Sequence, residues 1–259
     1  LEFRRVLFRS GQNALILGVA NKWSLAYAIA QAFHREGASL LLTYQGERQK
    51  STIEEMAAGL GGAQTLDCDV TSDADLEKLS DTLKAWGRVD SVVHSIAFAN
   101  REDLANPFAQ TSRDGFLLAH NISAYSMVAV ARVASPYMTS GGSMMTLSYL
   151  GATRVVQNYN VMGVAKASLE ASVRYLANDL GPANIRVNAI SAGPVKTTSA
   201  RGIRDFSSIL DKVAGRAPLR RNCEPAEVAD TAVFLASPLG RGVTGNTIFV
   251  DAGYQLLGV

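Results

Sequence analysis

Short apolar runs alternate with amphipathic stretches of helical length along the whole chain, and this alternation is what most restricts its fold. The runs are Ala14–Gly18, Ser39–Tyr44, Gln64–Val70, Ser91–Ala97, Gly142–Ser148, Ile185–Ser191 and Thr247–Val250. A run that is apolar on both alternating faces fits a strand buried on both sides, which parallel sheets require. Helical patterns between them, such as Asp73–Trp86 with Leu76, Leu79 and Leu83 on one stripe, supply the crossovers that parallel strands need. The expectation is one α/β domain: a doubly wound parallel sheet of about seven strands with helices on both faces and right-handed crossovers. At 259 residues and 47% hydrophobic, the chain is long enough to bury that core.

Charge and cysteine usage exclude several function classes. The net charge of +2 equals the balance of Arg4, Arg5 and Arg9 against Glu2, so no basic face is expected for nucleic acid or membrane. Residues 1–10 lack the apolar core of a signal peptide and read as a cloning or sequence-assembly scar, leaving 11–259 as a Rossmann-like domain. No apolar run is expected to approach the roughly 18 residues of a spanning helix. Cys68 and Cys223 show no paired or ligand spacing, and His34, His94 and His120 form no cluster, so no metal is expected and a soluble, reducing, cytoplasmic setting is.

Ligands of such sheets sit outside the carboxyl ends of the strands. Here those ends carry Gly18, Gln45, Asp69, Ser95-Ile96-Ala97, Ser148-Tyr149 and Gly193-Pro194. The first turn, Gly18 to Ala26, lacks the usual glycine fingerprint, with Ser24 and Ala26 where further glycines are expected. Small residues still permit close backbone approach, and Ser24 can cap the helix. Gln45, just past the second strand, is a neutral amide, which favours NADH, while Arg48 and Lys50 keep NADPH open. Asp69 could accept from an adenine amino group or cap the next helix. Residues 101–111 read as polar and irregular, Phe116–Val133 as one apolar helix facing another subunit, and 195–217 as a lid.

Tyr159 and Lys166 stand seven positions apart on what reads as one helix, on nearly the same face. An ammonium suits the ribose of a nicotinamide cofactor, and a phenol beside it suits an acceptor oxygen. No tyrosine in the chain has a lysine at +4, the common short-chain dehydrogenase spacing. At +7 the phenol is displaced by about 4.5 Å along the helix at 1.5 Å per residue. That displacement fits an α,β-unsaturated thioester, where hydride lands several bonds from the carbonyl oxygen, better than a ketone.

Gly18-Val19-Ala20 with Ser24-Leu25-Ala26, His94-Ser95-Ile96, Leu147-Ser148-Tyr149-Leu150-Gly151, Asn158 to Gly163 with Lys166 to Glu170, and Arg186 to Pro194 together resemble the NADH-dependent bacterial enoyl-[acyl-carrier-protein] reductases, divergent short-chain dehydrogenases/reductases. The resemblance covers about residues 13–254. It implies reduction of the trans-2 double bond of an enoyl-acyl-carrier-protein thioester in fatty-acid elongation, in a cytoplasmic homotetramer. It assigns Tyr159 to the enolate oxygen, Lys166 to the nicotinamide ribose and Tyr149 to the acyl pocket. Gly18, Ser24 and Leu25 would face the pyrophosphate, Gln45 the adenosine ribose, and Asp69 and Val70 the adenine. Ser95, Ile96 and Ala97, with Ile190, Ala192 and Pro194, would enclose ribose and nicotinamide. Ala97 and Ala252 replace glycines usual in the family, and Ser207 and Ser208 replace basic lid residues. A 3-oxoacyl reductase of the same superfamily, or a Rossmann nucleotide sensor without turnover, are the rival readings.

Overall fold

The computed structural model describes residues 11–195 and 206–257, so the expected scar at residues 1–10, and residues 196–205 of the expected lid, lie outside the described residues. In chain order the elements are β1 (Asn13–Leu17), α1 (Leu25–Arg35), β2 (Ser39–Tyr44), α2 (Glu47–Ala58), β3 (Gln64–Asp67), α3 (Asp73–Trp86) and β4 (Ser91–His94). There follow α4 (Arg101–Ala105), α5 (Arg113–His120), α6 (Ser126–Ala134), β5 (Gly142–Ser148), α7 (Asn160–Leu180), β6 (Ile185–Ala192), α8 (Phe206–Arg216), α9 (Pro225–Ala236) and β7 (Thr247–Val250). The seven strands form one parallel sheet in the order β3-β2-β1-β4-β5-β6-β7. The order reverses between β1 and β4, where Leu15 pairs with Leu41 on one side and Val92 on the other. A crevice opens at such a reversal.

Strand alternation divides the core into two layers. Ala14 and Ile16 point with Leu40 and Leu42 toward Ile29, Phe33, Val228 and Ala232 of α1 and α9. Leu15, Leu17 and Leu41 point the other way, toward Leu79 and Leu83 of α3, Met127 and Val130 of α6 and Leu169 of α7. Both faces are dry, which is why the strands read as nearly unbroken apolar runs.

Four expectations are corrected at this level. Ser72, whose Oγ accepts from the Asp75 N–H at 3.2 Å, caps α3, so Asp69 is not the cap. The helix expected over Phe116–Val133 lies within one continuous helical stretch, Arg113–Tyr137, and a π-helical turn at Asn121–Tyr125 separates its two α-helical parts, α5 and α6. Residues 101–111 hold α4 and a 3-10 turn at Phe108–Gln110. Finally, the 25-residue stretch Arg113–Tyr137 is long and apolar enough to cross a membrane by length and composition. Its apolar side is that of a core helix: Ala124, Met127, Val130 and Ala134 pack into the layer of α3 and α7.

Candidate active site

Tyr159 occupies the N-cap position of α7 (φ −111°, ψ −28°), one residue before the helix, so helical phase does not place its phenol. Asn158 (φ 62°) and Asn160 (φ 32°) flank it at positive φ, which asparagine tolerates better than most residues. The Asn160 side-chain amide donates to the carbonyls of Leu104 at 2.9 Å and Asn106 at 2.7 Å, pinning the helix start to α4. The ring of Tyr159 is 8% exposed and packs with Met162 and Ala165, with Ala99, Leu104 and Val156 at its border. Tyr149, delivered by the end of β5, meets it edge-on with ring centroids 4.9 Å apart at 68°.

Two glycines make this arrangement possible. A Cβ on Gly151 would collide with the ring of Tyr159, and one on Gly163 would lie 2.8 Å from the Gly151 carbonyl oxygen. The 3-10 turn Leu150–Ala152 can therefore lie directly on the first turn of α7. Only residues without a Cβ allow backbone and ring to approach so closely.

Lys166, on the second turn of α7, is buried, and its Nζ donates to the Leu147 carbonyl at 2.7 Å. Burial lowers its pKa to about 8, against the pull of Glu170, which favours the ammonium. Burial pushes the Tyr159 phenol far above its ordinary range, with the charges of Tyr149 and Glu170 adding to the effect. Tyr149 is raised to about 12, mainly by burial. Both phenols therefore hold their protons at neutral pH. Glu170 is itself buried; desolvation raises its carboxyl despite a 2.5 Å hydrogen bond from Ser148 Oγ. His94 is a core histidine held between Thr146 Oγ1 at 2.9 Å and Ser126 Oγ at 2.7 Å, and burial lowers it to about 3.

A cleft of about 370 Å³ opens at the carboxyl ends of β1 to β4. Gly18, Gln45, Asp69 and Val70 line one side, and Ser95, Ile96 and Ala97 another. Gly18 has φ +83°, and a Cβ there would collide with the Ser95 carbonyl oxygen, so this turn requires glycine. The Gln45 side-chain amide donates to Asp69 Oδ2 at 2.8 Å. Desolvation raises the Asp69 carboxyl, but hydrogen bonds from Thr71 and Gln45 outweigh it and leave it below its usual value. Ser24 caps α1, its Oγ accepting from the Tyr27 N–H at 3.2 Å, and Leu25 opens that helix. Ile190, Ala192 and Pro194 are buried along the end of β6, with Ile190 and Ala192 in the core layer on the α9 side, and their side chains do not line this cleft.

These features fit a nicotinamide dinucleotide. The Gly18 turn lines the cleft and leads into α1, and a helix N-terminus favours a pyrophosphate, although Ser24 and Leu25 are not themselves among the lining residues. Among the described residues Lys166 spends one of its three protons on Leu147, and an ammonium has two more for ribose hydroxyls.

Sequence reasoning left out the roles of Asn160, Gly151 and Gly163, which lay inside quoted motifs but act only through tertiary contact. It also left out Glu170, for which the signal was its i+4 spacing from Lys166.

A parallel sheet with this strand order, a dinucleotide cleft at its reversal and a buried tyrosine–lysine pair define a protein of the short-chain dehydrogenase/reductase class. A family model described as enoyl-(acyl carrier protein) reductase matches residues 18–255. The chain is 57% identical over 251 residues to the enoyl-[acyl-carrier-protein] reductase [NADH] FabI of Bacillus cereus, covering 96% of this chain and 98% of that one. It is 50% identical over 246 residues to the enoyl-[acyl-carrier-protein] reductase [NADPH] FabI of Staphylococcus aureus, covering 94% and 96% respectively. The crystal structure of the Bacillus cereus enoyl-acyl carrier protein reductase with NADP+ and indole naphthyridinone superposes with a TM-score of 0.95, covering 96% of this chain and 98% of that chain. The chain belongs to the enoyl-(acyl carrier protein) reductase family.

Proposed function

We propose that the protein reduces the trans-2 double bond of enoyl-acyl-carrier-protein thioesters with NADH, in fatty-acid synthesis. The observation that carries this reading is the buried Tyr159, protonated at neutral pH, beside Tyr149 and two turns from a buried lysine. When bound, the dinucleotide supplies hydride to C3 of the thioester. Tyr159 donates a hydrogen bond to the thioester carbonyl oxygen as negative charge develops there. Lys166 holds the nicotinamide ribose and keeps the ring in register with that oxygen. Tyr149 closes the acyl side of the phenol, and Met162, Leu104 and Val156 extend an apolar wall suited to the acyl chain.

NADH is the favoured donor because Gln45 is already bonded to Asp69, and Lys50, a candidate for a 2′-phosphate, sits 3.4 Å from Glu47. NADPH is the weaker alternative, resting on exposed Arg48. The physiological substrate is carried by an acyl carrier protein, the working form is a homotetramer, and the setting is the cytoplasm, where the free thiols of Cys68 and Cys223 are stable. Exposed Leu117, Tyr125 and Tyr175 on α5 to α7 supply the apolar face for subunit contact.

Consumption of NADH and NADPH with crotonyl and acetoacetyl thioesters, side by side, tests the reading. NADH oxidation with the enoyl substrate alone is expected. Turnover of only the keto substrate would make the protein a 3-oxoacyl reductase, and none with either would make it a nucleotide sensor.

A further inference from the structure

Lys166 and Glu170 are one helical turn apart on α7, and each is tied to the end of β5. Lys166 Nζ bonds the Leu147 carbonyl at 2.7 Å, and the Glu170 carboxylate accepts from Ser148 Oγ at 2.5 Å. A carboxylate buried to 7% exposure is costly to keep and is retained where its charge or its hydrogen bond serves a neighbour. No step assigned above uses it.

We infer that Glu170 is a positioning residue for the Tyr159–Lys166 pair: it supplies the negative charge facing Lys166 and, through Ser148, anchors the strand end that delivers Tyr149. This rests on the reading of Lys166 as the ribose-binding residue. Among the described residues the groups around Lys166 and Glu170 are few. Arg174, on α7, donates to the Glu170 backbone carbonyl at 3.1 Å, and its charge, ahead of that of Lys166, helps to keep the Glu170 carboxyl ionised. Tyr159 faces from the helix start and holds its proton. His94, on β4, senses Lys166 and is neutral. Ser148, on β5, carries no charge. Glu170 is therefore the anion available to offset the burial of the ammonium.

The test is NADH binding by isothermal titration between pH 5 and pH 9.5, comparing the wild type with Glu170→Gln, Glu170→Asp and Ser148→Ala. In the wild type, affinity falls as Lys166 loses its proton near pH 8. Glu170→Gln keeps an acceptor for Ser148 but removes the charge, so this midpoint moves down by about one pH unit. Glu170→Asp restores it. A Glu170→Gln midpoint equal to that of the wild type would overturn the inference. If Glu170→Gln does not fold, Ser148→Ala decides. Its carboxyl, without the hydrogen bond, takes up a proton at higher pH, and affinity then also declines toward pH 5; an acid side unchanged from the wild type overturns the inference. Lys166→Met serves as the control: retained NADH binding there sinks the ribose assignment itself, whatever Glu170 does.

Discussion

A phenol donates only while it keeps its proton, and burial secures this for Tyr159 by raising its pKa well beyond the physiological range. Tyr159→Phe is expected to lower turnover by about 100-fold with NADH affinity unchanged, read from steady-state rates and a separate binding titration. Equal turnover would place the stabilisation of the carbonyl oxygen on another group. Lys166 has the opposite bias, its pKa falling from 10.5 to about 8. Below pH 8 both native and unfolded chains carry the proton, and the native state bears the cost of burying it. Between pH 8 and 10.5 the unfolded chain holds more protons than the native one, so stability rises with pH and the cost fades. Lys166→Met removes this cost together with the bond to Leu147 and the counter-charge of Glu170, so the check is the pH slope: wild-type stability should gain on that of Lys166→Met between pH 8 and pH 10. Urea melts of both proteins at pH 7 and pH 10 would show it, and a difference that does not change with pH would refute it. Ala252 has φ 58°, a conformation that costs an L-residue roughly 1–2 kcal/mol.

At the scale of elements, the site depends on one contact between a 3-10 turn and a helix start. Gly151→Ala pushes a methyl group into the Tyr159 ring, so activity should drop at least ten-fold, with about 1–3 kcal/mol of stability lost to overpacking. Retained activity together with an unchanged tyrosine near-ultraviolet signal would refute it. The elements themselves were legible from pattern. Asp73–Trp86 and Pro225–Ala236 fall where period and capping signals place them, because buried faces and caps are local properties. The π-turn at Asn121–Tyr125 was not legible, since the apolar period runs through it and only tertiary contacts distinguish it: Ser126 Oγ meets His94, and Ser123 Oγ accepts from the Phe98 N–H at 2.9 Å. The start of α7 escaped for a similar reason. Asn158 and Asn160 look like ordinary polar residues until their backbone angles and the contacts with α4 are seen.

For the whole molecule, seven alternations were enough to anticipate one parallel sheet and the edge where the site lies. Residues far apart in the chain, such as Gly18 and Ser95, line one cleft only because the topology gathers strand ends. What the alternation could not convey was which side chains at the strand ends line the cleft and which fill the core: Ser95 lines the cleft, whereas Ile190 and Ala192 pack into the core. If the exposed Leu117 of α5 lies in the subunit contact, Leu117→Asp should reduce the mass in sedimentation from about four times 27.6 kDa to that of a smaller species. A wild-type protein that sediments as a monomer would refute the homotetramer.

One side of the Tyr159 ring rests on the main chain of Gly151. A wall made of backbone cannot be reshaped by exchanging side chains. Point substitution, whether drift or selection by an inhibitor, can alter this pocket without displacing the ring only through the side chains that border it, such as Leu104, Val156 and Met162. A compound that drew its affinity from the glycine side would confront the part of the enzyme with the least room to escape.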